Sequence, residues 1–142
     1  MLYNIFYRLE NLNIQIKVKN NKISLLYKDG SLPMDLKKQI QQHKEEIKRR
    51  LEENEQARRY GFLIYAYGEL YEFRYGKGSY LFIEREGNKA IVWRGSYIHG
   101  DPRPYRIKVL ANRVPFHHAL AEAVGFIEWL KRQEGRANIY SL

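Results

Sequence analysis

A chain of 142 residues has room for one ordinary domain or two small ones with modest cores, which excludes large multidomain chemistry. At 44% hydrophobic and 29% charged residues the composition is that of a folded chain, and a net charge of +9 favours an acidic partner: a nucleic-acid backbone, an anionic membrane surface or an acidic protein. The absence of cysteine excludes disulfides, thiolate metal sites and thiol nucleophiles, and fits a reducing compartment.

Leu2, Ile5, Phe6 and Leu9 repeat at i, i+3, i+4 and i+7, which predicts a short amphipathic helix. Arg8 and Glu10 interrupt any secretory signal there, and no apolar run in the chain approaches the roughly 20 residues that span a bilayer, so a cytoplasmic protein is expected. Ile14, Ile16 and Val18 then alternate with Gln15, Lys17 and Lys19, and Ile23, Leu25 and Tyr27 resume the pattern after Asn20-Asn21, two residues that tolerate a tight turn. A β-hairpin is predicted, ending at Asp29-Gly30. A helix follows, with Ser31 as candidate cap, Pro33 at its start, and Leu36, Ile40, Ile47 and Leu51 on one face. Its continuation through Lys48-Arg49-Arg50 to Arg59 mixes both signs of charge and reads as a solvated face.

The residues Leu9, Leu12, Ile14 to Val18, Ile23, Gly30 to Leu32, Leu36, Ile40, His43-Lys44, Ile47 and Leu51, in α-β-β-α order, resemble the TubC N-terminal docking domain family of nonribosomal peptide and polyketide assembly lines. The resemblance covers about the first 52 residues. Where the family places a Thr-Pro-Glu unit this chain has Pro33-Met34-Asp35. The resemblance implies dimerisation through this module and capture of a partner peptide on the hairpin edge, with Ile16, Lys17, Val18, Lys19, Lys22 and Ile23 as the docking residues and an acidic peptide as the matching partner. Similar modules also occur in proteins of phages and mobile elements, so the resemblance does not imply antibiotic biosynthesis.

After Arg58-Arg59 and Gly61 the texture changes from charged helix to strands parted by glycine turns, which sets the expected modules at 1–56 and 60–142. Strands are predicted over 62–67, 70–75, 79–86, 89–94 and 105–110, as an antiparallel meander. A last helix is predicted from Pro115 to Gly135, with Phe116, Leu120, Ala123, Ile127 and Leu130 covering one sheet face. The fold class is therefore α+β. Residues 57–142 carry fourteen Lys and Arg against eight Asp and Glu, and nine of the twelve tyrosines. Cations interleaved with aromatic platforms suit single-stranded nucleic acid. Arg74, Arg85, Arg94, Arg106 and Lys108 are the phosphate candidates, and Tyr71, Tyr75, Tyr80 and Trp93 the stacking candidates. The same aromatics would also serve as core, since strand parity does not tell which face is covered. In element order alone the module is loosely similar to PC4 and Whirly single-strand-binding folds.

Signals for catalysis are sparse. His117 and His118 diverge by about 100° on a helix, His99-Gly100-Asp101 has no companion carboxylate cluster, and no glycine pattern forms a phosphate loop. Glu122, Glu128 and Glu134 on the last helix argue against anionic lipid. The sequence thus predicts a non-enzymatic adaptor without metal or cofactor, dimerising or docking a peptide, with single-stranded nucleic-acid binding as the alternative.

Overall fold

The computed structural model describes residues 2–137. The chain is α+β: α1 (Leu2–Asn11), a hairpin of β1 (Gln15–Lys19) and β2 (Lys22–Leu26), α2 (Met34–Gln42), α3 (Lys44–Arg59), then β3 (Leu63–Tyr65), β4 (Leu70–Gly76), β5 (Ser79–Glu86), β6 (Lys89–Tyr97), β7 (Pro104–Val114) and α4 (Phe116–Ala137). β3 to β7 form an antiparallel meander in sequence order, with α4 packed on one face. Among the described residues no helix is long and apolar enough to cross a membrane.

Local chemistry accounts for the turns. Asn20 and Asn21 both take positive φ (53° and 64°), which a two-residue hairpin of primed type requires, and Lys19 pairs directly with Lys22 across it. Ser31 does not cap the following helix. Its hydroxyl instead donates to the Lys28 carbonyl at 2.6 Å, closing the turn at Gly30, while Pro33 occupies the cap position without a side-chain bond.

The charged segment expected as one helix is two, broken at His43 (φ −109°, ψ 22°). A straight helix over these residues would run about 39 Å against the roughly 15 Å of α1. Leu36 and Ile40 of α2 and Ile47 of α3, on either side of the break, all pack in the core with Ile5, Phe6, Leu9 and Ile14. Glu45 and Glu46 fall in the first turn of α3, where negative charge favours a helix start. At the other end of the chain α4 runs on through Gly135 to Ala137; glycine stops a helix where it turns left-handed, and its mere presence is only a propensity cost of about 1 kcal/mol.

A second core lies between the meander and α4, built from Tyr71, Leu81, Ile83, Val92, Phe116, Leu120 and Ile127 with Phe62. α3 serves both cores: Ile47 and Leu51 pack toward α1, and Ala57 toward the meander.

Candidate functional site

The hairpin register sorts its side chains onto two faces. Ile16, Val18, Ile23 and Leu25 turn inward and are half-buried, whereas Lys17, Lys19 and Lys22 face solvent opposite Ser24 or one another. Lys19 directly opposite Lys22 is a like-charge pair, which weakens a hairpin. None of the three lysines forms an ion pair among the described residues.

β1 and β2 make a sheet of two strands, so β1 has a free edge. Ile16, Lys17 and Val18 on that strand form one wall of a groove of about 690 Å³ whose other wall is α3, from Leu51 to Arg59. The groove continues past Ile16, Leu51, Asn54 and Arg58 into a second cleft of about 740 Å³, bounded by Tyr3 and Tyr7 of α1 and by Ile64 and Tyr67 of the meander. Arg58 is held by Glu55 at 2.8 Å, and Tyr67 donates its hydroxyl to Glu10 across the cleft.

A buried polar network fixes the α3 wall against the meander. Arg50 donates to the Tyr67 carbonyl at 3.1 Å and to Glu69 at 3.3 Å, and Asn54 donates to the same carbonyl at 3.3 Å. Tyr71 donates to the Asn54 amide oxygen. Arg85 donates to the Gly68 carbonyl at 2.6 Å, to Tyr71 at 2.9 Å and to Glu53 at 2.8 Å, with its guanidinium 4.2 Å above the Phe116 ring. Gly68 (φ +98°) fits because it lacks a side chain: a Cβ there would come within 2.4 Å of Asn54 and 2.8 Å of Arg50. Burial, and then the nearby Arg85, draw the Arg50 pKa down from its ordinary value, and burial pushes the Tyr71 phenol up.

This network redirects several residues that the sequence offered as ligand contacts. Arg50, read as part of a solvated run, is buried. Tyr71 is fully buried and Arg85 nearly so, both committed to holding α3, so neither faces a nucleic acid. Tyr75 meets Phe126 edge-on beneath α4, and Arg94 lies 4.8 Å above the same ring with its Nε buried and unpaired. Arg74, Tyr80 and Trp93 occupy the opposite, uncovered face. Arg106 and Lys108 are exposed on β7, paired in register with Ser96 and Arg94 and so on the α4 side. The nine candidates therefore do not converge: Arg94, Arg106 and Lys108 form one strip, and Arg74, Tyr80 and Trp93 lie on the far side of the sheet. Trp129, 46% exposed and stacked on Phe126, was missed because it falls off the apolar stripe of α4.

Near His99, Asp101 accepts the backbone N–H of Arg103 at 2.9 Å, the bond of a polar turn. His118 lies 3.6 Å from Glu122, one helical turn away. Among the described residues no three His, Asp or Glu side chains come together as a metal cluster. No protein-family model, curated protein or solved structure matches this chain.

Proposed function

We propose that the protein is a non-enzymatic adaptor that docks an acidic, extended peptide along the free edge of β1. The observation that carries this reading is the groove between that edge and α3, with three unpaired lysines on the adjoining hairpin face. A strand added there gains backbone hydrogen bonds from β1, sets alternate side chains against Leu51 and Ile16, and relieves the Lys19–Lys22 repulsion with its carboxylates. The likeness of the first 52 residues to TubC docking domains supports the same use of the hairpin.

The test is fluorescence anisotropy with a labelled octapeptide of alternating Val and Glu. Binding in the micromolar range that weakens with salt and is lost in Val18→Pro supports docking. An absence of binding at low salt overturns it, as does binding that Val18→Pro leaves intact.

A second reading, single-stranded nucleic-acid binding, is favoured by the strip on β6 and β7. Register places Arg94 beside Lys108 and Ser96 beside Arg106, and none of the three cations is held by a carboxylate among the described residues. Trp129 on α4 supplies an exposed ring on the same side of the sheet. Salt-sensitive anisotropy of a labelled single strand, lost in the double variant Arg106→Ala and Lys108→Ala, is its expected signature; no binding at low salt removes it.

A further inference from the structure

The face of the meander opposite α4 is uncovered, yet it has the make-up of the inner face of a sandwich. Register lays Leu63, Glu72, Phe82, Trp93 and Val109 in one row across all five strands, with Arg74, Tyr80, Gly95 and Ile107 in the next. Ring centroids of Phe82 and Trp93 lie 4.4 Å apart, Tyr80 stacks on Phe82 at 5.9 Å, and Tyr97 meets Tyr80 edge-on at 5.4 Å. Gly95 sits among these rings: a Cβ there would come within 2.9 Å of Tyr97 and 3.0 Å of Trp93, so its absence lets both rings lie across the strand. Toward the edges Leu63, Tyr105, Ile107 and Val109 are each more than half exposed.

The charges within the aromatic rows are already engaged. Glu72 accepts the Tyr65 hydroxyl at 2.9 Å, Glu84 accepts the Trp93 indole N–H at 3.2 Å, and the Arg74 guanidinium lies 4.8 Å from the centre of the Tyr80 ring.

We propose that this face is closed by the same face of a second copy of the chain, giving a homodimer with two meanders packed sheet on sheet. Charge selects that occupant. Glu72, Glu84 and Glu86 balance Arg74, Lys89 and Arg113 on this face, which leaves no net positive charge to draw a phosphate backbone, so the aromatic rows are not a nucleic-acid platform. The chain as a whole carries +9, so two copies repel across most of their surface and least across this near-neutral face. A two-fold contact also offers each Arg74 the carboxylates of the other copy.

Area points the same way. Leu63, Tyr65, Tyr105, Ile107 and Val109 at about half exposure contribute on the order of 100 Å² each. With half-buried Tyr80, Trp93 and Tyr97 the face approaches the roughly 800 Å² per partner of a standard interface. Aligned packing of two such faces is the usual way for a sheet covered on one side to bury the other.

Sedimentation equilibrium of the intact chain over the micromolar range tests this, together with acrylamide quenching of Trp93 in a Trp129→Phe background. The expected result is a dimer that forms with rising concentration as Trp93 becomes protected. Ile107→Asp and Val109→Asp each weaken it by about 100-fold with far-UV circular dichroism unchanged, because both positions are exposed within the protomer, whereas Val18→Pro leaves it intact. A chain that stays monomeric with Trp93 open to quencher overturns the proposal. A dimer indifferent to both aspartates overturns it too, since it must use another surface.

Discussion

Arg85 of β5 and Glu53 of α3 form an ion pair of 2.8 Å, with side chains only 10% and 18% exposed, that joins the meander to the helix shared by both cores. Removing one partner from such a pair leaves the other charge buried and alone. Glu53→Leu or Arg85→Met is expected to destabilise the chain by about 3–5 kcal/mol. The double variant loses less than the sum of the two, because no orphaned charge remains. Urea denaturation of the four proteins checks this.

Gly68→Ala is expected to destabilise the fold by about 2–4 kcal/mol, combining left-handed backbone strain with the collision against Asn54 and Arg50. Gly87, which also has positive φ (+63°) but nothing within 4 Å of a Cβ, provides the comparison. Gly87→Ala bears only the backbone strain and melts at a higher temperature than Gly68→Ala.

Lys19→Glu separates stability from docking. The substitution turns a like-charge cross-strand pair into an attractive one and is expected to stabilise the hairpin by about 0.5–1 kcal/mol. Affinity for the acidic peptide falls in the same protein. Thermal melts and anisotropy measured together should move in opposite directions; a stabilised protein with unchanged affinity would mean the lysine pair has no role in recognition.

The pH dependence has a definite sign at Tyr71. Burial raises its folded pKa above the ordinary 10.0, so the folded state retains a proton that the unfolded state has lost. The corresponding stability is fully present below pH 10.0 and is lost as pH rises toward the folded value. Tyr71→Phe should make stability fall less steeply above that pH, with a lower starting stability because Asn54 and Arg85 lose a partner. Chemical denaturation at several alkaline pH values reads both effects.

If single-stranded nucleic acid binds the β6–β7 strip, Arg106→Ala and Lys108→Ala together reduce the salt slope of log K by about 1.4. Arg74→Ala, on the far side of the sheet, leaves it unchanged. A slope that responds to Arg74 instead would place the ligand on the uncovered face.

Much of the architecture could be read directly because local and long-range signals agreed. Asn20-Asn21, the glycine-parted strands of the meander and the apolar period of α4 each specify one conformation. The covered face of the meander was not legible. Both parities of β4 and β5 are rich in apolar or aromatic residues, with Tyr71 and Phe73 against Leu70, and Tyr80 and Phe82 against Leu81 and Ile83. A charge then sits at the core parity: Arg85 follows Leu81 and Ile83 on the inner side, and its burial is made tolerable by Glu53, 32 residues away, together with the Gly68 carbonyl and the Tyr71 hydroxyl. Such pairings depend on tertiary proximity, which strand alternation does not encode. The break at His43 is similar, since Ile40 and Ile47 share a face in a straight helix as well, and the Glu45-Glu46 start signal competes with an uninterrupted charged pattern.

The position of α3 between the two cores has a consequence for how the chain comes apart. Ile47 cannot leave the first core, nor Ala57 the second, without disturbing a helix that also holds the other. Amide protons in α1 and in β5 should therefore exchange through the same global opening, with equal free energies, although they belong to different cores. A cut after residue 52 would shorten that helix, remove the second core and leave Arg50 without its Tyr67 and Glu69 acceptors, so the isolated hairpin half should open far more often than the same residues do in the intact chain.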